Sequence, residues 1–182
     1  MATGKDLGTA APLRLEHFPS LRNVPFRDQP ISAWRVMHQI SSSRQDVFEL
    51  DPQPAYFAMI YLQQVKHCDL LADGSARPAR IYERGNVCFV DLAEGAAIRL
   101  MGAIDGIGLV IPFALIDEMS ERFPALPVRP RPRRNMPDPV LHKLGLALMP
   151  FLSGDLDDGS PAVRHILAAL AVQLVCEQRT FH

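Results

Sequence analysis

Six histidines and three cysteines are the residues best able to hold a metal or act as nucleophiles, so their spacing comes first. His38 closes the run "ISAWRVMH", and His67 sits in "VKHCDLL" beside Cys68 and Asp69. A β-barrel metal enzyme would show two histidines one residue apart, a glutamate soon after, and a third histidine on a later strand. No His-x-His occurs anywhere in the chain. His142 and His165 fall in runs of helical period beside charged residues, where a solvated side chain is expected. Cys68, Cys88 and Cys176 are widely spaced and odd in number, which argues against a disulfide framework and against a CxxC zinc site. Cys68 alone has cationic neighbours, but adjacent strand residues such as His67 and Cys68 point to opposite faces. There is no Gly-x-Ser-x-Gly turn, and "GAIDGIG" lies between strand-like runs instead of opening a helix. The expectation is a protein with no catalytic residues, no metal and no cofactor.

Binding is the chemistry that remains. Trp34, His38, Tyr61 and His67 combine apolar area with a few hydrogen-bonding groups, as a small-molecule pocket requires. They are expected to reach a small, mainly apolar pocket. Tyr56, Phe57, Tyr82, Phe89 and Asp91 could line it too, although most are expected to be ordinary core.

The elements that must position these residues are strands first and helices second. From residue 31 to 111, aromatic and β-branched runs are separated by turn signals at Asp73-Gly74, Gly85-Asn86 and Glu94-Gly95. Short strands with such punctuation indicate an antiparallel sandwich or barrel. Many of these runs are apolar at every position, which fits strands with one face on a second sheet and the other under a helix or lining a cavity. After Pro112 the period becomes helical in "PFALIDEMSERF". Asp138-Pro139 and Ser160-Pro161 then open "PVLHKLGLALMPFL" and "PAVRHILAALAVQLVCEQR", each with a capping oxygen followed by a proline at the first helical position. The division expected is a leader over residues 1–25, a β-body with a trailing helix over 26–126, a linker over 127–137 and a helical hairpin over 138–179.

The stretch "VRPRPRRNMPDP", residues 128–139, overlaps that linker and carries Arg129, Arg131, Arg133 and Arg134 among prolines. A phosphate-binding arm or a proline-helix ligand would use the same residues, but a solvated connection is the simplest reading. On that reading, replacing all four arginines by serine shifts stability by no more than about 0.5 kcal/mol. The formal net charge of −1 gives no overall field to draw in nucleic acid or an anionic membrane. With 48% apolar and 21% charged residues the composition supports a packed core. The N-terminus lacks the apolar core of a signal peptide, and no apolar run reaches the ~20 residues needed to span a bilayer. A cytoplasmic protein without membrane contact is expected.

The order of "YFAMIYLQQVKHCDLLADG", "YERGNVCFVDLAEGAAIRL", "LVIPFALIDEM", "DPVLHKLGLALMPFL" and "AVRHILAALAVQLV" resembles the N-terminal, cupin-like sensor domain of AraC-type bacterial transcription regulators. The resemblance runs from about residue 30 to 178. It implies an α+β fold, a cupin-like antiparallel β-barrel or sandwich followed by a C-terminal helical hairpin. It also implies a small-molecule effector, a homodimer, and DNA binding through a separate helix-turn-helix domain. Nothing in this chain reads as that domain, so DNA contact is expected only through a segment outside it, and the chain is expected to be a truncation. The alternatives are a cupin-type enzyme acting on a small substrate, with or without a divalent metal, and a dimerisation scaffold with a filled barrel.

The dimer has a sequence argument of its own. In "ILAALAVQLVC" Gln173 is the only strongly polar residue, and a helix apolar all round must be covered on more than one side. Leu167, Leu170, Leu174 and Val175 are therefore expected at a dimer contact, and Leu170→Glu or Leu174→Glu to give folded monomers.

Overall fold

The computed structural model describes residues 11–40, 46–124 and 129–176. Among the described residues ten strands form two sheets, and the pairings between these strands are antiparallel. The larger sheet contains β1 (Ser20–Asn23), β2 (Ile31–His38), β4 (Ala55–Tyr61), β7 (Asn86–Asp91), β9 (Ile104–Pro112) and β10 (Arg133–Pro137), in the order β1-β2-β9-β4-β7-β10. The smaller contains β3 (Val47–Leu50), β5 (Val65–Leu70), β6 (Arg80–Tyr82) and β8 (Ala96–Leu100), in the order β3-β8-β5-β6. Among the described residues there are also helices α1 (Phe113–Arg122), α2 (Pro139–Leu152) and α3 (Pro161–Cys176).

The all-apolar strands have a direct physical reason. β4 is buried at all seven positions because each of its faces meets a different partner. Phe57, Met59 and Tyr61 join Phe48, Leu50, Val65, Tyr82 and Leu100 of the smaller sheet in a cluster between the sheets. Tyr56, Ala58 and Ile60 point the opposite way and pack with Phe89, Ile107, Leu141, Leu148, Leu167 and Leu170. Period-two alternation is present, but the helical hairpin covers the face that would otherwise be polar. The result is an antiparallel β-sandwich with a C-terminal helical pair.

Local signals place the hairpin. Asp138 accepts from the Val140 and Leu141 N–H groups at 3.0 and 2.9 Å, and Ser160 Oγ accepts from Ala162 N–H at 3.2 Å. Gly145 lets α2 sit close to the sheet: a Cβ there would lie 3.2 and 3.3 Å from the Cδ1 atoms of Ile107 and Ile60.

Two expectations need correction. Leu167, Leu170, Leu174 and Val175 are each 0% exposed within the single chain, so they are not available for a contact between subunits. α3 buries Val163, Leu167, Leu170, Ala171, Leu174 and Val175 in a cluster with α2, the larger sheet and Leu115, Ile116 and Met119 of α1, while Ile166 and Val172 are only partly buried.

The second correction concerns the arginine stretch. Residues 125–128 lie outside the described residues, but Arg133–Pro137 form β10, an edge strand paired with β7, where a solvated linker was expected. The Arg129 guanidinium is 2.7 Å from Asp117 and stands over the Phe113 ring. Arg133 donates to the Leu174 carbonyl at 2.9 Å while lying over Phe89. Arg134 donates to Asp69 at 2.8 Å. Alternation with proline concealed this, because prolines are tolerated in edge strands, where one row of N–H groups faces solvent. The fourfold serine variant is therefore expected to lose about 2–4 kcal/mol, from charge-assisted hydrogen bonds at about 1.5–3 kcal/mol each, discounted for partial exposure. Urea denaturation checks this, and a change within about 0.5 kcal/mol would restore the linker reading.

Candidate functional site

Between the two sheets lies a cavity of about 40 Å³. Phe48, Leu50, Phe57, Met59, Val90 and Ile98 make its walls apolar, and Tyr61, His67, Cys88 and Arg134 supply its polar groups. The alternation that points Tyr56 and Ile60 at the helices points Tyr61 inward from β4, and β5 presents His67 from the opposite sheet. Tyr61 Oη is 2.8 Å from His67 Nε2 and 3.7 Å from Cys88 Sγ. The His67 ring stacks on Tyr82, with centroids 4.0 Å apart and planes 8° from parallel.

His67 is 1% exposed, and its Nδ1 is buried without a hydrogen-bond partner among the described residues. Burial, and secondarily the positive charge of Arg134, push its pKa from 6.5 down to about 4, so the ring is neutral at physiological pH. Burial also pushes the Cys88 thiol up and the Tyr61 hydroxyl well up. Neither becomes an anion at neutral pH, so the site has no activated nucleophile.

β10 closes the cavity on one side. Arg134 reaches from the larger sheet to Asp69 on β5, and both side chains are mostly buried, at 33% and 12% exposure. Next to it Asn135 has φ of 56°, a left-handed conformation that asparagine tolerates better than most residues. Its side chain accepts from Asn86 Nδ2 at 2.7 Å and donates to the Ile81 carbonyl at 3.2 Å. These contacts tie the edge of one sheet to β6 of the other.

Of the four residues expected to share a pocket, the structure brings Tyr61 and His67 together there and places the others elsewhere. Trp34 lines an open groove with Arg14, Glu49 and Asp51. His38 Nε2 is 2.7 Å from Asp46 Oδ2, and His38 borders a separate recess with His17, Phe18 and Arg35. Trp34 and His38 share the inward phase of β2, but β2 is two strands from β4, across β9, so the shared phase did not bring a shared site. Cys88 and Arg134 escaped the sequence reading. Cys88 has the signal of alternating with Val87 and Phe89 on β7, whereas Arg134 has none, since its position depends on the non-local pairing of β10 with β7.

Among the described residues, no group of three or more His, Cys, Asp or Glu side chains is placed to hold a metal ion. No helix among them is long and apolar enough to cross a membrane.

No family model matches the chain, and no curated protein does. Solved structures with a similar course are cupin-fold proteins. A cupin 2 conserved barrel domain protein from Salinispora arenicola is 14% identical, with a TM-score of 0.37, over 67% of this chain and 98% of that one. An RmlC-like cupin from Desulfovibrio desulfuricans is 10% identical, with a TM-score of 0.34, over 62% and 98%. An oxalate decarboxylase variant from Bacillus subtilis is 8% identical, with a TM-score of 0.33, over 45% of this chain and 21% of its own length. The chain thus spans about a fifth of that enzyme. At these identities and scores the likenesses bear on neither substrate nor activity.

Proposed function

We propose that this chain is the regulatory sensor module of an AraC-type transcription regulator. The sandwich binds a small-molecule effector, the module forms a homodimer, and DNA is bound by a separate helix-turn-helix domain. The observation that carries the reading is the Tyr61–His67 pair facing an apolar cavity, without an activated nucleophile or a metal-ligand group among the described residues. Such a site is suited to holding a molecule and poorly suited to transforming one. The order of sandwich and helical hairpin, which carries the sequence resemblance, supports it further.

In this reading the dimer contact lies outside the four buried residues of α3. Leu146 on α2, 41% exposed, is an outward apolar side chain available for it. Light scattering is expected to show a dimer at micromolar concentration, and Leu146→Glu to shift it to a folded monomer. The functional test fuses the chain to a monomeric DNA-binding domain whose operator requires two copies. Repression by the fusion but not by the DNA-binding domain alone, altered by compounds that raise the melting temperature of the isolated chain, is the expected result. Absence of both dimer-dependent repression and any stabilising compound would overturn the proposal.

A further inference from the structure

We infer that the cavity between the sheets selects a compact, uncharged molecule of a few carbon atoms bearing one acceptor oxygen, such as a carbonyl, and that the His67 Nδ1–H group binds that oxygen. The inference rests on the effector-binding reading and gives its ligand a chemistry. It starts from the single proton of the Tyr61 hydroxyl. That proton can go to His67 Nε2 at 2.8 Å or to Cys88 Sγ at 3.7 Å. An imidazole nitrogen at ordinary hydrogen-bond distance is a far better acceptor than a distant thiol. Tyr61 therefore donates to Nε2, which leaves the neutral ring its hydrogen on Nδ1.

That N–H is buried and has no partner among the described residues. Leaving such a donor unsatisfied is costly, so the group favours any ligand that brings an acceptor. The ring cannot turn away to find another partner, since Tyr82 stacks on its face and Tyr61 holds its far nitrogen.

Size and charge narrow the class. A cavity of about 40 Å³ is small and suits a handful of heavy atoms. Among the described residues on its wall the one charged group, Arg134, is already balanced by Asp69. A carboxylate ligand would have to bury its charge against a neutral imidazole. An outer recess shares Leu50, Ala96, Ala97, Ile98 and Arg134 with the cavity. The carboxylates of Glu49, Asp51, Asp69, Asp91 and Glu94 line that recess with Arg77 and Arg134, and Arg14 pairs with Glu49 and Asp51, which still leaves an excess of negative charge that disfavours anions. An ammonium could cross it but would meet an N–H donor and apolar walls. An oxygen acceptor on a short neutral carbon frame satisfies every group.

The test uses the whole chain with 13C-methyl methionine and 15N histidine labels, titrated with 2-butanone, 2-butanol, butyrate, butylammonium and xenon. Met59 and His67 both line the cavity, so both report on its occupant. The expected result is saturable binding of 2-butanone, with a shift of the His67 Nδ1 resonance, and binding of both charged probes at least about tenfold weaker. Xenon should shift the Met59 methyl without moving Nδ1. In His67→Phe, affinity for 2-butanone should fall while xenon binding persists; should that variant not fold, the wild-type Nδ1 shift decides the same point. Butyrate or butylammonium binding as tightly as the ketone would overturn the ligand class and leave the cavity reading standing. An unmoved Nδ1 in the ketone complex would overturn the role of His67. Failure of all five probes, xenon included, would remove the effector-binding reading itself.

Discussion

Leu170→Glu is expected to leave no cooperatively folded protein. Leu170 is 0% exposed and packs in the cluster shared by α2, α3 and the larger sheet. Truncating such a leucine costs about 2–5 kcal/mol by itself. A carboxylate in that position adds several kcal/mol more, since taking a charge into an apolar cluster is expensive. Domains of this size are stable by only about 5–15 kcal/mol, so the sum removes most or all of the stability. Circular dichroism should show the loss of a sigmoidal thermal transition, while Leu146→Glu, at a site 41% exposed, keeps one. This outcome separates the two accounts of α3. A face reserved for a partner would tolerate glutamate and yield a folded monomer, and that result would mean the helix is not packed as described.

Acidification supplies the second large effect. The pKa of His67 is lowered by burial, and next by Arg134, from 6.5 in the unfolded chain to about 4 in the folded one. Between these values the unfolded chain binds a proton that the folded chain does not, so stability rises with pH across this window. The contribution is fully present above pH 6.5 and is lost as the pH falls to about 4. At about 1.4 kcal/mol per pKa unit, the loss is on the order of 3 kcal/mol. His67→Phe removes the titrating group and keeps a planar ring against Tyr82. Its unfolding free energy should therefore fall less between pH about 7 and about 4 than that of the wild type, by a similar margin. Parallel pH profiles for the two proteins would show that His67 is solvated or protonated in the folded state.

Both predictions depend on which face of an element looks inward, and here sequence and structure divided unevenly. Runs such as Ala55–Tyr61 declared strands apolar on both faces, in a sandwich or barrel whose second face lay under a helix or lined a cavity. Asp138-Pro139 and Ser160-Pro161 marked the starts of the two final helices to the residue, because capping is a local contest between one side chain and the first free N–H groups. Tyr61 and His67 were recognisable as pocket candidates by residue type. Trp34 and His38 had the same types and the same strand phase, but strand order separated them from the site.

The sequence by itself determined what its local chemistry and periodicity control: the strands between residues 31 and 111, the turns between them, the helix starts and an antiparallel β-body followed by a helical pair. Three matters were decided only by the tertiary structure. Whether α3 hides its leucines within the chain or offers them to a partner depends on how α2, α1 and the sheet close around it. Whether the arginine stretch is a connection or an edge strand depends on β7 being free to pair with it. Whether Tyr61 and His67 meet depends on two sheets facing each other across a core. Each rests on contacts between residues far apart in the chain, and the energy that settles such contacts comes from surface buried jointly by both partners. A helix period or a strand alternation carries one partner's half of that information, and the other half exists only once the chain has folded.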